Sequence, residues 1–141
     1  MYRFLEQTAD RYMTRGVKTV SRDIDMQQLS DMFERDDFNG YPVEEDGQVV
    51  GIITKFDILK CFAFSPTQMV PHYHELMSRK VGDLMTPDFI YVHPDTRLTR
   101  VLQLMVEHRL RSLLVLDATQ KLVGIIARED VIAALKATAK G

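Results

Sequence analysis

Features that define several large classes of protein are missing from this sequence. A single cysteine, Cys61, cannot form an internal disulfide, and its apolar neighbours predict a buried, reduced thiol. No apolar run approaches the length of a transmembrane helix, and the first residues carry acids without an apolar core, so we expect neither membrane insertion nor a signal peptide. A net charge of −2 gives no basic field for nucleic acid. We therefore expect a cytoplasmic protein without a nucleic-acid partner.

The residues of an enzyme active site are also missing. We find no nucleophile paired with a base, no serine or cysteine in a glycine-rich turn and no convincing set of metal ligands, so we expect no catalytic activity. One metal-like cluster is present, His72-Tyr73-His74-Glu75. A His-x-His pair can chelate zinc from a strand, but these side chains are more typical of a solvated linker.

The most informative stretch is Gly51-Ile52-Ile53-Thr54-Lys55-Phe56-Asp57, in which an apolar strand runs into a helix. Thr54 is predicted to be the N-cap of that helix. Its hydroxyl, the free N–H groups of the first turn and the positive end of the helix dipole then face one space, which suits an anion such as phosphate. Thr-x-x-Asp is also an ordinary capping arrangement, in which Asp57 is favoured whatever the function.

A second copy of this stretch, Gly124-Ile125-Ile126-Ala127-Arg128-Glu129-Asp130, follows at a shift of 73 residues. Upstream, Met13-Thr14 matches Met85-Thr86 at a shift of 72, so one residue is inserted in the turn before the last strand. The chain is therefore an internal repeat of two units of about sixty residues. We place the first repeat, with an N-terminal helix, at residues 1–66, a linker at 67–80 and the second repeat at 81–138.

Hydrophobic periodicity gives both repeats the order β-α-β-β-α, and hence an α+β fold. A three-stranded sheet with two helices buries only one face well, so we expect the repeats to pack as a pseudo-twofold pair with a shared core. Asp23 is predicted to cap the second helix, and Pro42 to mark an edge strand or a strand start. The predicted helices span residues 1–12, 26–35, 56–64, 98–108 and 128–137. The predicted strands span 17–21, 41 to the Asp46-Gly47 hairpin turn, 48–53, 89–92, 111–116 and 122–126.

The repeat, its Met-Thr pairs, Tyr41-Pro42-Val43 before an acidic turn, and Gly-Ile-Ile-Thr-x-x-Asp resemble a pair of CBS domains, also called a Bateman module. The resemblance covers residues 1–138. It implies a regulatory module whose paired repeats enclose clefts for adenosine compounds (AMP, ADP, ATP or S-adenosylmethionine), with no other cofactor. It also implies homodimers and control of an attached or partner protein. Once two repeats are placed, no residues remain here for a catalytic domain.

The resemblance assigns a first ligand site, with Thr54 and Asp57 at the edge of a cleft. Thr54 matches the position whose hydroxyl contacts phosphate, and Asp57 the carboxylate that accepts the ribose hydroxyls, since a carboxylate can accept two bonds from a vicinal diol. Ile52 is expected to lie along the adenine. Arg111, from the other repeat, is either the phosphate cation or an exposed strand-end arginine. The remaining matched positions are Asp88, Phe89, Leu110 and Ser112.

The second site departs from the family pattern. Ala127 stands where the hydroxyl residue is expected, and no arginine matches Arg111, so we expect one good site and one weak or empty site. A missing buried hydrogen bond typically costs ~1–3 kcal/mol, which is roughly a tenfold to hundredfold loss of affinity. The matched positions are Val17, Lys18, Asn39, Ile125, Arg128 and Asp130.

Two interpretations of function remain open. The chain is either a ligand-sensing regulatory module, or a dimerisation and interaction module of the same fold that binds no nucleotide, which the degraded second motif favours. In both cases the helices after the two motifs carry more apolar residues than a small core needs, so we expect some of them at a homodimer surface. These residues are Phe56, Leu59, Phe62, Phe64, Val131, Ile132 and Leu135.

Overall fold

The computed structural model describes residues 2–63 and 73–139, with the backbone alone for Tyr2. The helices in this part of the chain are α1 (Tyr2–Glu6), α2 (Met26–Asp36), α3 (Lys55–Ala63), α4 (Tyr73–Met77), α5 (Val81–Leu84), α6 (Leu98–His108) and α7 (Arg128–Ala139). The strands are β1 (Val20–Ser21), β2 (Gly40–Glu45), β3 (Gln48–Thr54), β4 (Tyr91–Val92), β5 (Ser112–Leu116) and β6 (Leu122–Ala127). Two three-stranded sheets accompanied by helices confirm the predicted α+β class.

The chain divides into two compact units, and Lys18–Phe89, the continuous unit, is one of them. Its sheet has the order β1-β2-β3, in which β1 is parallel to β2 and β2 is antiparallel to β3. The predicted hairpin turn is confirmed, because Asp46 and Gly47 both adopt positive φ angles, 53° and 80°, as a two-residue hairpin turn requires. The core residues are Val20, Met26, Leu29, Phe33, Tyr41, Val43, Ile53, Cys61, Met77 and Val81.

The two-segment unit combines Met1–Val17 with Ile90–Gly141. Its sheet, β4-β5-β6, repeats the same parallel and antiparallel pairing. Helix α1 contacts α6 and α7, and Phe4 of α1 is buried in the core. The core residues are Phe4, Ala9, Val92, Leu98, Val101, Leu104, Met105, Leu113, Val115, Ile126, Val131 and Ala134.

Each Met-Thr pair lies against the motif strand of the other sequence repeat. The N–H and C=O groups of Thr14 bond to Ile125 in β6, at 2.8 and 2.9 Å, and those of Thr86 bond to Ile52 in β3, both at 2.9 Å. Each compact unit therefore contains the segment that opens the other repeat. The predicted ranges 1–66, 67–80 and 81–138 describe the repeats and linker of the sequence, and the compact units have different limits.

The first helix is shorter than predicted. Helix α1 ends at Glu6 and a separate 3₁₀ turn follows at Ala9–Arg11, so the predicted helix over 1–12 is wrong. The physical reason is a tertiary bond: the Ala9 N–H donates to the Thr96 carbonyl at 2.8 Å instead of to the preceding turn. A bond across 87 residues of sequence leaves no mark in local periodicity.

Helix α2 begins with a different cap from the one predicted. The N-cap is Asp25, not Asp23. The Asp25 carboxylate accepts from the Gln28 N–H at 2.9 Å, and the Gln28 side-chain oxygen accepts from the Asp25 N–H at 3.0 Å. This reciprocal capping box satisfies two backbone donors at once, which explains why the chain enters the helix at Met26.

Pro42 lies near the start of a central strand rather than on an edge strand. Strand β1 spans only Val20–Ser21, not the predicted 17–21, and it pairs with the residues after Pro42. On the other side Pro42 faces Ile52, whose N–H and C=O are directed to Thr86. No ladder bond therefore requires the N–H that proline lacks.

Tyr41 links β2 to the end of α2. Its hydroxyl lies 2.6 Å from Asp36 Oδ2 and 3.0 Å from the Met32 carbonyl oxygen. Lys18 Nζ lies 3.1 Å from both carboxylate oxygens of Asp36. Burial, followed by the bond to Asp36, raises the pKa of Tyr41 to about 12, and the same bond lowers the pKa of Asp36.

We expect this phenol to make unfolding pH-dependent. Because its pKa is raised in the folded chain, its contribution to the free energy of unfolding is complete below pH 10 and is lost as the pH rises toward 12. Tyr41→Phe should remove that dependence and lower the free energy of unfolding by about 1–3 kcal/mol at neutral pH. Urea denaturation across the alkaline range measures both effects. Tyr73→Phe, which alters an exposed ring, should keep the wild-type profile, and a wild-type profile for Tyr41→Phe would refute the prediction.

The expected dimer residues differ in exposure. The exposed ones are Phe56, Leu59 and Ile132. Val131 is buried in the core of the two-segment unit, on the face of α7 that packs inward, so it is not among the members available to a dimer surface. Phe62 and Leu135 are half-buried, and Phe64 lies outside the described residues.

Three other expectations concern the burial of Cys61, membrane insertion and the histidine cluster of the linker. Cys61 is buried as predicted, and burial raises the pKa of its thiol. Across 2–63 and 73–139, none of the helices is both long enough and apolar enough to cross a bilayer. His72 lies outside these ranges, so the predicted linker cluster is not described as a whole.

Candidate ligand site

The first motif lies at the junction of β3 and α3, where Thr54 is the last strand residue and Lys55 the first helical one. The Thr54 N–H and hydroxyl both donate to Asp57 Oδ2, at 2.8 and 3.1 Å. The carboxylate of the first helical turn thus accepts hydrogen bonds from the residue that precedes the helix, as an acid does in a capping box. The Thr54 hydroxyl is a donor in this motif, whereas the prediction made it the acceptor that caps the helix.

Asp57, which the sequence predicts at the edge of a cleft, is 3% exposed. One turn along α3, Lys60 places its Nζ 2.9 Å from Asp57 Oδ1 and 5.8 Å from the centre of the Phe56 ring. Both carboxylate oxygens are therefore bonded within the chain. An ionised carboxylate has further acceptor sites, and the end of the Lys60 side chain is exposed.

The second motif repeats the backbone contact without the hydroxyl. At the junction of β6 and α7, the Ala127 N–H donates to Asp130 Oδ2 at 2.8 Å. Ala133 occupies the position that matches Lys60, 73 residues on. Asp130 is half-buried, and among the described residues nothing bonds to its Oδ1. The Thr54 hydroxyl thus favours ligand binding at the first motif, whereas the greater exposure of the Asp130 carboxylate favours the second.

The predicted cationic side chains differ in whether they already form ion pairs or hydrogen bonds within the protein. Lys18 forms an ion pair with Asp36 at 3.1 Å. Arg128 donates its Nε–H to the Leu110 carbonyl at 2.8 Å and its backbone N–H to the Arg111 carbonyl at 3.0 Å. These bonds bring together three residues that the prediction divided between two sites. The Arg111 side chain is exposed and has no bonded partner in the described part of the chain, so it keeps its charge available to an anion.

The predicted site residues divide between the two compact units. In the continuous unit are Ile52, Thr54, Asp57, Asp88, Phe89, Lys18 and Asn39. In the two-segment unit are Leu110, Arg111, Ser112, Val17, Ile125, Arg128 and Asp130. Asp88 and the Asn39 side chain are exposed, and the Asn39 carbonyl accepts from the Lys55 N–H at 3.0 Å. The half-buried residues are Ile52, Phe89, Leu110, Ser112, Val17 and Ile125.

Lys60 is the residue that sequence reasoning overlooked. It stands three residues after Asp57 on a predicted helix, and an acid and a base at that spacing are neighbours on a helical surface. The spacing alone could have indicated the ion pair.

Comparison with known proteins decides the family. The family model described as "CBS domain" matches residues 9–63 and 81–137, most of the chain. The chain belongs to the CBS domain family. The CBS pair CBSX2 from Arabidopsis thaliana, solved in complex with AMP, is 28% identical with a TM-score of 0.76, over 93% of this chain and 98% of that one. Protein MJ1225 from Methanocaldococcus jannaschii is 25% identical with a TM-score of 0.85, over 92% of this chain and 48% of that one.

Curated relatives include much longer proteins. Homoserine O-acetyltransferase from Methanosarcina acetivorans is 28% identical over 122 residues, which is 86% of this CBS chain and 20% of the enzyme. Two uncharacterized Methanocaldococcus jannaschii proteins, MJ1225 and MJ0188, are matched over 46% and 41% of their lengths. The CBS chain thus spans from a fifth to about half of these three relatives.

Proposed function

We propose that this CBS chain is a regulatory module that senses an adenosine nucleotide and signals to a partner protein. The likeness to CBSX2, solved with AMP and matched over 98% of its length, is the observation that carries the proposal. Both motif junctions also keep an aspartate held by the backbone N–H three residues earlier. A carboxylate so placed suits the two hydroxyls of a ribose. AMP is the first candidate, ahead of ADP, ATP and S-adenosylmethionine, and the nucleotide acts as a signal with no other cofactor.

A protein partner is proposed from the comparison with homoserine O-acetyltransferase. In homoserine O-acetyltransferase the matching region is 20% of the protein, so a region like this chain accompanies a much larger one there. We infer that here too the nucleotide-bound state is passed to an attached or separate protein. The reduced, buried Cys61 suits the cytoplasm, which we propose as the compartment.

An interaction module that binds no nucleotide is the second candidate. Asp57 favours it, because this carboxylate is 3% exposed and bonded on both oxygens. In this alternative Thr54, Asp57 and Lys60 only fix the junction of β3 and α3. The exposed apolar side chains of α3 then form the functional surface.

Calorimetric titration with AMP, ATP and S-adenosylmethionine tests the proposal. We expect saturable binding of AMP at one strong site per chain, with a dissociation constant on the order of micromolar. Chromatography of the nucleotide after incubation should return it unchanged, and turnover would instead indicate an enzyme. If none of the three ligands produces heat, the interaction module replaces the sensor.

A further inference from the structure

A positive charge adjoins the first motif without belonging to its repeated pattern, the ammonium of Lys60. Its Nζ lies 2.9 Å from Asp57 Oδ1, and in the described part of the chain no other cation bonds to this carboxylate. Asp57 is buried, whereas the Lys60 side chain is 46% exposed. A buried anion is thus balanced by a cation that keeps contact with solvent.

The Phe56 ring holds the same ammonium from a second side. Lys60 Nζ lies over this ring at 5.8 Å from its centre, which is within the range of a cation–π contact. Phe56 and Asp57 precede Lys60 by four and three residues, so all three side chains are neighbours on the surface of α3. Two partners restrain the ammonium beside the Asp57 carboxylate, where its charge acts on whatever binds there.

The second motif has the opposite charge balance. Residues 55–60 contain two lysines and one aspartate, a net charge of +1, whereas residues 128–133 contain one arginine and two acids, a net charge of −1. One unit of the difference comes from Glu129 and the other from Ala133, which takes the place of Lys60. The repeat therefore does not require a cation at this position, and Lys60 is a feature of the first motif alone.

We propose, on the basis of the proposed function, that Lys60 makes the first motif prefer adenosine ligands with a phosphate over those with a cation. The 5′ carbon of the ribose carries a phosphate of about two negative charges in AMP, and a positive sulfonium in S-adenosylmethionine. A carboxylate that accepts the ribose hydroxyls repels the first group and attracts the second unless its own charge is offset. Lys60 supplies that offset at Asp57. The preference thus comes from unfavourable charge as well as from attraction.

Lys60→Gln tests the charge while keeping a donor for Asp57 Oδ1. The AMP preference, the dissociation constant of S-adenosylmethionine divided by that of AMP, should fall roughly tenfold. Most of the fall should come from tighter binding of S-adenosylmethionine. The affinity for AMP should stay within roughly threefold, because the amide also yields Oδ1 to the ribose more readily than an ammonium does. Calorimetric titration with AMP, followed by its displacement with S-adenosylmethionine, measures both constants.

Three controls separate the charge from other effects. Lys60→Arg keeps the charge and should keep the wild-type preference. Lys136→Gln removes one charge from the last turn of α7 and should also leave the preference unchanged. Adenosine has no charge at the 5′ position, so its affinity should be the same for the wild type and Lys60→Gln to within roughly threefold. Added salt should reduce the wild-type preference, because the ammonium is exposed enough to be screened.

The outcomes distinguish this preference from the proposed function itself. If the wild type binds none of the three adenosine compounds, the sensor and the role of Lys60 both fail. If AMP binds and Lys60→Gln keeps the wild-type preference, the sensor stands and the role of Lys60 is refuted. A wild type that prefers S-adenosylmethionine, or an equal fall in preference for Lys136→Gln, would also refute it. Melting curves of Lys60→Gln and Lys60→Arg show whether either change alters folding instead.

Discussion

We expect Asp57→Asn to weaken the proposed binding of AMP roughly tenfold to a hundredfold and to leave the chain folded. The asparagine oxygen can still accept from the Thr54 N–H, which lies 2.8 Å from Asp57 Oδ2, so the start of α3 survives. The change removes the negative charge that pairs with Lys60 and one of the two acceptors for a ribose diol. Calorimetric titration with AMP, together with melting curves of both chains, measures the two parts of this expectation.

Two matched variants show whether the loss belongs to the first motif. Lys60→Ala frees Asp57 Oδ1 without altering the carboxylate, so AMP should bind equally well or more tightly. Asp130→Asn makes the same change in the second motif and should cost less affinity, because that site lacks the threonine hydroxyl. If Asp130→Asn abolishes binding while Asp57→Asn has no effect, the ligand site lies at the second motif and the first is structural.

Gly124→Ala should lower the free energy of unfolding by about 1–3 kcal/mol. A β-carbon at this position would lie 2.7 Å from Met13 Sδ and 2.9 Å from the Thr14 carbonyl oxygen. The sulfur can move, but the carbonyl is held by the Ile125 N–H at 2.9 Å, so strain falls on the contact between the first segment and β6. The shift in the midpoint of urea denaturation measures the effect.

Gly82→Ala is the control for Gly124→Ala. The nearest atom to a new β-carbon there is Nε of Arg22, at 2.8 Å, which belongs to a flexible side chain. Because Gly82 lies in α5, where alanine is favoured over glycine by about 1 kcal/mol, the control should lose little or gain. Adding Met13→Ala to Gly124→Ala should show coupling between the two changes, because it removes the sulfur and leaves the carbonyl. A wild-type urea midpoint for Gly124→Ala would rule out the close approach of the Met13-Thr14 segment to β6.

Repetition made most of the fold predictable from the sequence. A hydrophobic pattern that occurs once is ambiguous between helix and strand. When the same pattern recurs at a shift of 72 or 73 residues, each copy supports the secondary structure assigned to the other. Helix α6 spans the predicted residues 98–108, and α2 extends the predicted 26–35 by one residue. The hairpin turn at Asp46-Gly47 was readable because its backbone conformation depends on the local residue types alone.

The errors arise where distant segments of the chain meet. The first helix breaks because Ala9 bonds to Thr96, and Arg128 is held by the Leu110 carbonyl. Neither partner can be read from periodicity, which reports only neighbours along the chain. In the candidate site, the closeness of Thr54 and Asp57 followed from a spacing of three residues. The burial of Asp57 did not, because exposure depends on the surrounding packing.

The exchanged Met-Thr segments have a consequence for how the protein is made. Residues 18–89 are contiguous, so the continuous unit can fold as soon as they have left the ribosome. Residues 1–17 are synthesised earlier, yet the residues that they contact in the two-segment unit, from 90 onward, are synthesised after the continuous unit. Phe4 and Met13 therefore cannot complete their packing until the later part of the two-segment unit has been made. Bringing distant segments together costs the two-segment unit more loop-closure entropy, so we expect the continuous unit to fold first during synthesis.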